Sequence, residues 1–255
     1  MTGIVLKVDG VDYSANAIGF VPPIDATGLV YLNYFGGNAT RTARNLASGG
    51  TAGVVVGDPT ENTNDTTFTP GTNYVQTAVS ETADKTIIAA VKPLTDANSV
   101  IVGNYKGNRV GDSGVLGFGN ALYFQPTTGG DNLVSPNWQD AGWSEVSGSA
   151  SNSIATSITN NCAVGTYYCL VGRTASNVRK IFNKTTGASA QSGNTTTVDL
   201  AVTNYQIGSM PTPTGFTAAN TIAFVAIFQR ALTDTEINTF YDYLKTYLST
   251  KSITI

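Results

Sequence analysis

The 255-residue sequence contains no histidine. That removes Ser-His-Asp and Cys-His nucleophilic sites and histidine-ligated zinc. Only two cysteines are present, Cys162 and Cys169, too few for a four-thiolate metal site. Charge is also scarce. Fourteen Lys and Arg with seventeen Asp and Glu make 12% of the chain, for a net charge of −3. No Lys/Arg cluster exists to track a phosphate backbone or an anionic lipid surface. Neither nucleic acid nor membrane is therefore an expected partner. No apolar run approaches the ~20 residues of a membrane span. The start, MTGIVLKVDG, lacks a basic segment followed by a long apolar core, so no signal peptide is expected.

What is present points to β-structure. Hydrophobic residues make 41% of the chain, enough for a real core. With so little charge, solubility rests on Thr, Asn, Ser and Gly. From Leu29 to Ile227, short apolar or alternating segments such as LVYLNYF, KTIIAAVKP, TYYCLVGR, VRKIFNK and TIAFVAIF recur between Gly-, Asn- and Pro-rich turns. That spacing predicts a sandwich or barrel. No strand alternates with a 10–15-residue helix, so a parallel α/β sheet is not expected.

At the N-terminus, GIVLKVDGVDYS reads as a hairpin turning at Asp9-Gly10. Pro22 and Pro23 then break the chain, since neither can donate to a strand ladder. Residues 1–25 are read as an appended hairpin and docking segment, and 26–255 as the main domain. The stretch Gly129–Ala155 reads as a long irregular loop, of the kind that is functional or mobile.

The C-terminus differs from the rest. Thr233 and Glu236 form a T-x-x-E capping box. Ile237, Phe240, Tyr241, Leu244 and Leu248 follow on one face at helical spacing. A lone helix of this length, predicted over 234–248, is marginal in water. It is expected to lie on the sandwich rather than on a partner chain.

The closing segment TIAFVAIFQRALTDTEINTFYDYL resembles the end of the laminin G-like, concanavalin A-like jelly-roll family: a strand, an Arg-Ala-Leu turn, then a Thr-Asp-x-Glu-Ile helix start. RNLASGGTAGVVVGDPT, KTIIAAVKPL and YQIGSMP resemble upstream passages of that family in the same order, over roughly residues 28–248. The resemblance implies an all-β antiparallel jelly-roll sandwich closed by one C-terminal helix. LKVDGVDYSANAIGFVPP further resembles the opening of bacteriophage tail or fibre-associated proteins.

Candidate sites are few. Glycosidases need two carboxylates across a cleft. The nearest pair, Glu81 and Asp84 in ETAD, has odd spacing that points to opposite faces, and is read as loop. An aromatic plane flanked by amides and a carboxylate suits a sugar, and Asn137, Trp138, Gln139, Asp140 and Trp143 supply that set in the presumed loop. The competing reading folds both tryptophans inward, since Trp is highly buried on average. Oxygen-rich turns at Asn62–Asp65, Thr95–Ser99 and Gly129–Asn132 offer calcium ligands, as the family resemblance allows, but no EF-hand pattern is present and solvated loop is favoured. No cofactor is expected. If Gly165-Thr166 is a two-residue hairpin turn, Cys162 faces Cys169 at disulfide distance; two small buried thiols are the favoured alternative.

The expectation is a non-enzymatic bacteriophage virion protein, tail- or fibre-associated or decorating the particle. It would be assembled in the host cytoplasm, dock to other virion proteins through the segment holding Pro22 and Pro23, and bind host-surface polysaccharide. A homo-oligomer fits, though no heptad pattern supports a coiled-coil trimer. The rivals are a secreted carbohydrate-binding module and a polysaccharide-degrading enzyme on the same fold.

Overall fold

The sequence's short strands assemble into two antiparallel sheets stacked face to face, with a helix laid on one of them. The computed structural model describes residues 20–127, 132–143, 152–192 and 197–255, with side chains at all of these except 109, 112–118, 141–143 and 152–153. The proposed Asp9-Gly10 hairpin lies outside the described residues.

The helix-side sheet has eight strands. In hydrogen-bonded order they are Ala188–Gln191, Val178–Asn183, Tyr168–Ala175, Lys85–Pro93, Asn220–Phe228, Thr66–Phe68 and Thr60–Glu61, with Leu29–Tyr34 also paired to Asn220–Phe228. The outer sheet has nine. Its path is Asn152–Ser157, Leu133–Trp143, Asn120–Pro126, Ser99–Gly103, Gln206–Ile207, Tyr74–Gln76 and Val54–Val56. Cys162–Ala163 and Thr197–Val198 also pair with Leu133–Trp143. A separate ribbon joins Gly107–Arg109 to Asp112–Phe118.

Alternation along each strand builds two cores. Ile87, Ala89 and Val91 point between the sheets, where they meet Leu122, Phe124, Val134 and Trp138. Ile88 and Ala90 point the other way, toward the helix. The central strands Lys85–Pro93 and Asn220–Phe228 are thus buried on both faces, which is why they read as nearly unbroken apolar runs.

The helix spans Asp234–Ser249 and begins at the capping box foreseen in the sequence. Thr233 Oγ1 accepts from Glu236 N–H at 3.2 Å, and Glu236 Oε2 accepts from Thr233 N–H at 2.8 Å. Ile237, Phe240, Leu244 and Leu248 are buried against Phe224, Phe228, Val171 and Phe182 of the helix-side sheet. Each such side chain contributes about 1.5–3 kcal/mol, which outweighs the helix's poor solitary stability. Arg230, in the turn before the helix, donates to Thr27 C=O (2.7 Å), Asp25 C=O (2.9 Å) and Glu236 Oε1 (2.6 Å). It ties the helix start to the segment entering the first strand.

That entering segment is anchored at Phe20 and Pro22, while Val21, at 82% exposure, and Pro23 face outward. Phe20 N–H donates to Leu46 C=O, and the Phe20 ring meets Tyr34 and Tyr243 at 5.9 and 5.6 Å. Pro22 is buried and Pro23 exposed. Of the two residues expected to dock a partner, Pro22 therefore has no surface to offer, because the domain's own packing takes it.

Candidate functional site

The predicted glycan loop is a strand. Leu133–Trp143 pairs with Asn120–Pro126 on one side and Asn152–Ser157 on the other. Alternation then separates the five candidates. Trp138 and Asp140 point into the sandwich, both 0% exposed, while Asn137 and Gln139 face the opposite way and are also buried. Of Trp143 only the backbone is described. No open aromatic face exists at Trp138, so that residue folds inward, as the competing reading had it, and offers no stacking platform. The Trp138 ring lies against Gly172 of the facing sheet, where a Cβ would sit 2.1 Å from a ring carbon. Its Nε1–H donates to Thr174 Oγ1 at 2.9 Å.

The strand was missed because its inward positions are not uniformly apolar. Asp140 sits where a Val or Leu would continue the pattern, and it is neutralised from across the gap. Lys85 Nζ donates to Asp140 Oδ1 at 2.8 Å. Thr174 Oγ1 donates to Asp140 Oδ2, and Arg179 Nε stands 3.8 Å from the same oxygen. Lys85 Nζ also donates to Glu81 Oε1. Glu81 is held further by Asn120 Nδ2 at 2.7 Å, Asn104 Nδ2 at 3.1 Å and Ala201 N–H at 3.1 Å. Asn120 Nδ2 also donates to the Tyr205 hydroxyl at 2.6 Å.

Two positive and two negative groups thus share one closed volume. Lys85, Thr174 and Arg179 come from the helix-side sheet, Asp140 and Asn120 from the outer sheet, Asn104 from the residue following strand Ser99–Gly103, and Glu81 from the loop before Lys85. All lie at the end of the sandwich where the strands run out into the same set of loops. Burial alone pulls the Lys85 ammonium down, but the facing Asp140 and Glu81 carboxylates outweigh it and the net shift is upward. Burial holds the Arg179 guanidinium below its ordinary range, with Asp140 opposing. Burial also pushes the Tyr205 phenol well above its ordinary range, with Glu81 adding to it, so Tyr205 is no base at neutral pH.

Sequence reading dismissed Glu81 with Asp84 as loop residues. Both are in a loop, but only Asp84 is exposed, accepting from Ser176 N–H at 2.8 Å. Glu81 is buried in the charge cluster. Lys85, Arg179, Asn104, Asn120, Thr174 and Tyr205 were not foreseen. The signal for most of them was strand parity: Lys85 is in phase with Ile87 and Ala89, Arg179 with Ile181, and Asn120 with Leu122 and Phe124.

The cysteines are free and buried. They do not face each other across a hairpin. Thr166 N–H closes a turn onto Ala163 C=O, with Gly165 at φ +82° in its third position, one residue out of the phase the bridge needs. Cys162 therefore pairs in the outer sheet and Cys169 in the helix-side sheet.

Among the described residues no three His, Cys, Asp or Glu are grouped to hold a metal ion. In the turn Asn62–Asp65, both Asp65 oxygens accept protein donors, from Asn62 Nδ2 at 2.7 Å and Tyr167 OH at 2.5 Å. In Thr95–Ser99, Asp96 Oδ1 and Asn98 Oδ1 carry no protein hydrogen bond. Gly129 to Asp131 fall outside the described residues.

The same end of the sandwich carries an open depression of about 210 Å³. Asn45, Ser48, Thr51, Ser80 and Gln229 line it with the Gly49-Gly50 backbone, and no ionisable side chain does. Ser80 adjoins Glu81, so the depression and the charge cluster share one loop.

No family model matches the sequence, and no curated protein matches it. Solved structures do match the fold. Trypanosoma rangeli sialidase in complex with sialic acid aligns at TM-score 0.57 and 13% identity, over 89% of this chain and 36% of the sialidase. The botulinum neurotoxin serotype D binding domain aligns at 0.55 and 9%, over 86% and 51%. The receptor binding domain of the botulinum neurotoxin C/D mosaic serotype aligns at 0.56 and 10%, over 85% and 51%. This chain thus spans about a third of the sialidase and about half of the toxin domains. Identities this low establish a shared jelly-roll-like β-sandwich and nothing of function. No described helix is long and apolar enough to cross a membrane.

Proposed function

We propose that the chain is a non-enzymatic recognition module of a bacteriophage particle, tail- or fibre-associated or decorating, that docks to other virion proteins and binds host-surface glycan. The observation that carries the binding part is the contrast at the loop end. Glu81, Lys85, Asp140 and Arg179 are shut between the sheets, where Lys85 holds both carboxylates. The accessible depression beside them offers hydroxyls, amides and glycine backbone, but no acid or base. Such a lining can hydrogen-bond sugar hydroxyls and hold a neutral unit in a concave site. It has no group to protonate a leaving oxygen. The virion part rests on the N-terminal resemblance.

A second reading, a carbohydrate-binding module of a larger secreted protein, is favoured by the chain matching only a part of each solved neighbour.

Glycan-array binding by the purified chain, repeated with Ser80→Trp to fill the depression, tests the recognition. Retained binding by a folded Ser80→Trp variant would remove the depression from the proposal. Peptide mass spectrometry of intact particles tests the setting. Absence of the chain from particles, with secretion from its host, would favour the second reading.

A further inference from the structure

We propose that Lys85 and Asp140 condense in the folded protein to an amide that joins the two sheets covalently, with Glu81 as the proton carrier. This goes beyond the recognition role and does not depend on it. The reactants are already in place. The amine lies 2.8 Å from the carboxylate oxygen, and both side chains are at most 1% exposed. Rigid strands on opposite sheets hold them there, and well-oriented neighbouring groups react with effective molarities of about 10⁵–10⁸ M. A dry site also keeps bulk water from reversing an amide once it has formed.

The chemistry balances without any further reagent. The resting pair is ammonium and carboxylate, because the two acids hold the Lys85 proton. Transfer of one proton within the pair gives the amine and the carboxylic acid, a minor state, so the condensation is slow. The nitrogen lone pair forms the new bond to Asp140 Cγ. Charge that develops on Oδ2 meets the Thr174 hydroxyl and the Arg179 guanidinium, as an oxyanion-stabilising pair should. Glu81 Oε1, hydrogen-bonded to Nζ, takes one N–H proton and returns it to Oδ1. The Cγ–Oδ1 bond breaks and one water leaves.

Three neighbours position these groups. The Trp138 indole N–H can only donate, so Thr174 Oγ1 accepts from it and directs its own proton at Asp140. Asn104 and Asn120 hold Glu81 beside the amine. After condensation, Arg179 and Glu81 remain, one charge of each sign, and the buried volume stays neutral.

Intact-mass measurement of the full chain, denatured after prolonged incubation in the folded state, is the test. The expected mass is that of the sequence less one water. Tryptic digestion should show no cleavage after Lys85 and one peptide pair joined through Lys85 and Asp140. Lys85→Arg should have its full sequence mass. Asp140→Asn should lose ammonia instead of water, which names the acceptor even if Lys85→Arg folds poorly. A folded wild-type chain with its full sequence mass would overturn the proposal. So would loss of water from Asp140→Asn, which would move the bond to Glu81.

Discussion

Lys85 Nζ meets Asp140 Oδ1 at 2.8 Å across the gap between the sheets, a cation of one layer against an anion of the other, with no solvent access to either. Breaking one side of such a pair leaves the other buried and uncompensated. Lys85→Met should therefore destabilise the fold by at least about 3 kcal/mol, read as a lowered midpoint in urea denaturation. A variant as stable as the parent would show that water reaches the cluster.

The contact of Trp138 with Gly172 should be equally intolerant. A methyl group at position 172 would sit 2.1 Å from the indole ring. Gly172→Ala should cost about 1–3 kcal/mol through overpacking. The indole should also shift, visible in tryptophan fluorescence. An unchanged emission spectrum and midpoint would mean that the ring does not pack there.

Acid should loosen the helix start. Glu236 is lowered to about 2, first by its hydrogen bond from Arg230 and then by those from Thr233. A folded-state value below the ordinary 4.5 means the group stabilises the fold above that pH. The contribution is lost as pH falls from there toward 2. The stability difference between the parent and Glu236→Gln should shrink across that window. A difference independent of pH would contradict the assignment.

The thiols should be silent in the folded protein. Burial pushes Cys169 up to about 12, with Lys184 opposing, and raises Cys162 further. Iodoacetamide at neutral pH should label neither thiol until urea is added, and then both. A chain that labels at neither stage would contain the bridge that the observed turn does not allow.

Much of the fold was legible because its strongest signals are local. The capping box at Thr233 and Glu236 and the helical stripe from Ile237 to Leu248 need no tertiary information, and both are present. The apolar runs KTIIAAVKP and TIAFVAIF were read as strands, and both are, with burial on both faces added by the structure. The charge cluster was hidden for the opposite reason. Asp140, Lys85 and Arg179 each look like an interruption within their own strand, and only together do they form a compensated group. The strand Leu133–Trp143 was lost with them, since its inward Asp140 and its Pro136 both mimic a loop. The depression draws on four separated segments, and no spacing rule connects those.

The helix covers strands that precede it in the chain, down to the one that ends at Phe228. During synthesis, then, the greasy outer surface formed by Phe224, Phe228 and Val171 emerges from the ribosome before its lid exists. A translation pause, or a truncation before Asp234, would leave that surface open to chaperones, to proteases and to other nascent copies. The sixteen residues Asp234–Ser249 therefore close this layer of the fold, and damage there should reduce yield in the cell before it reduces anything the folded domain does.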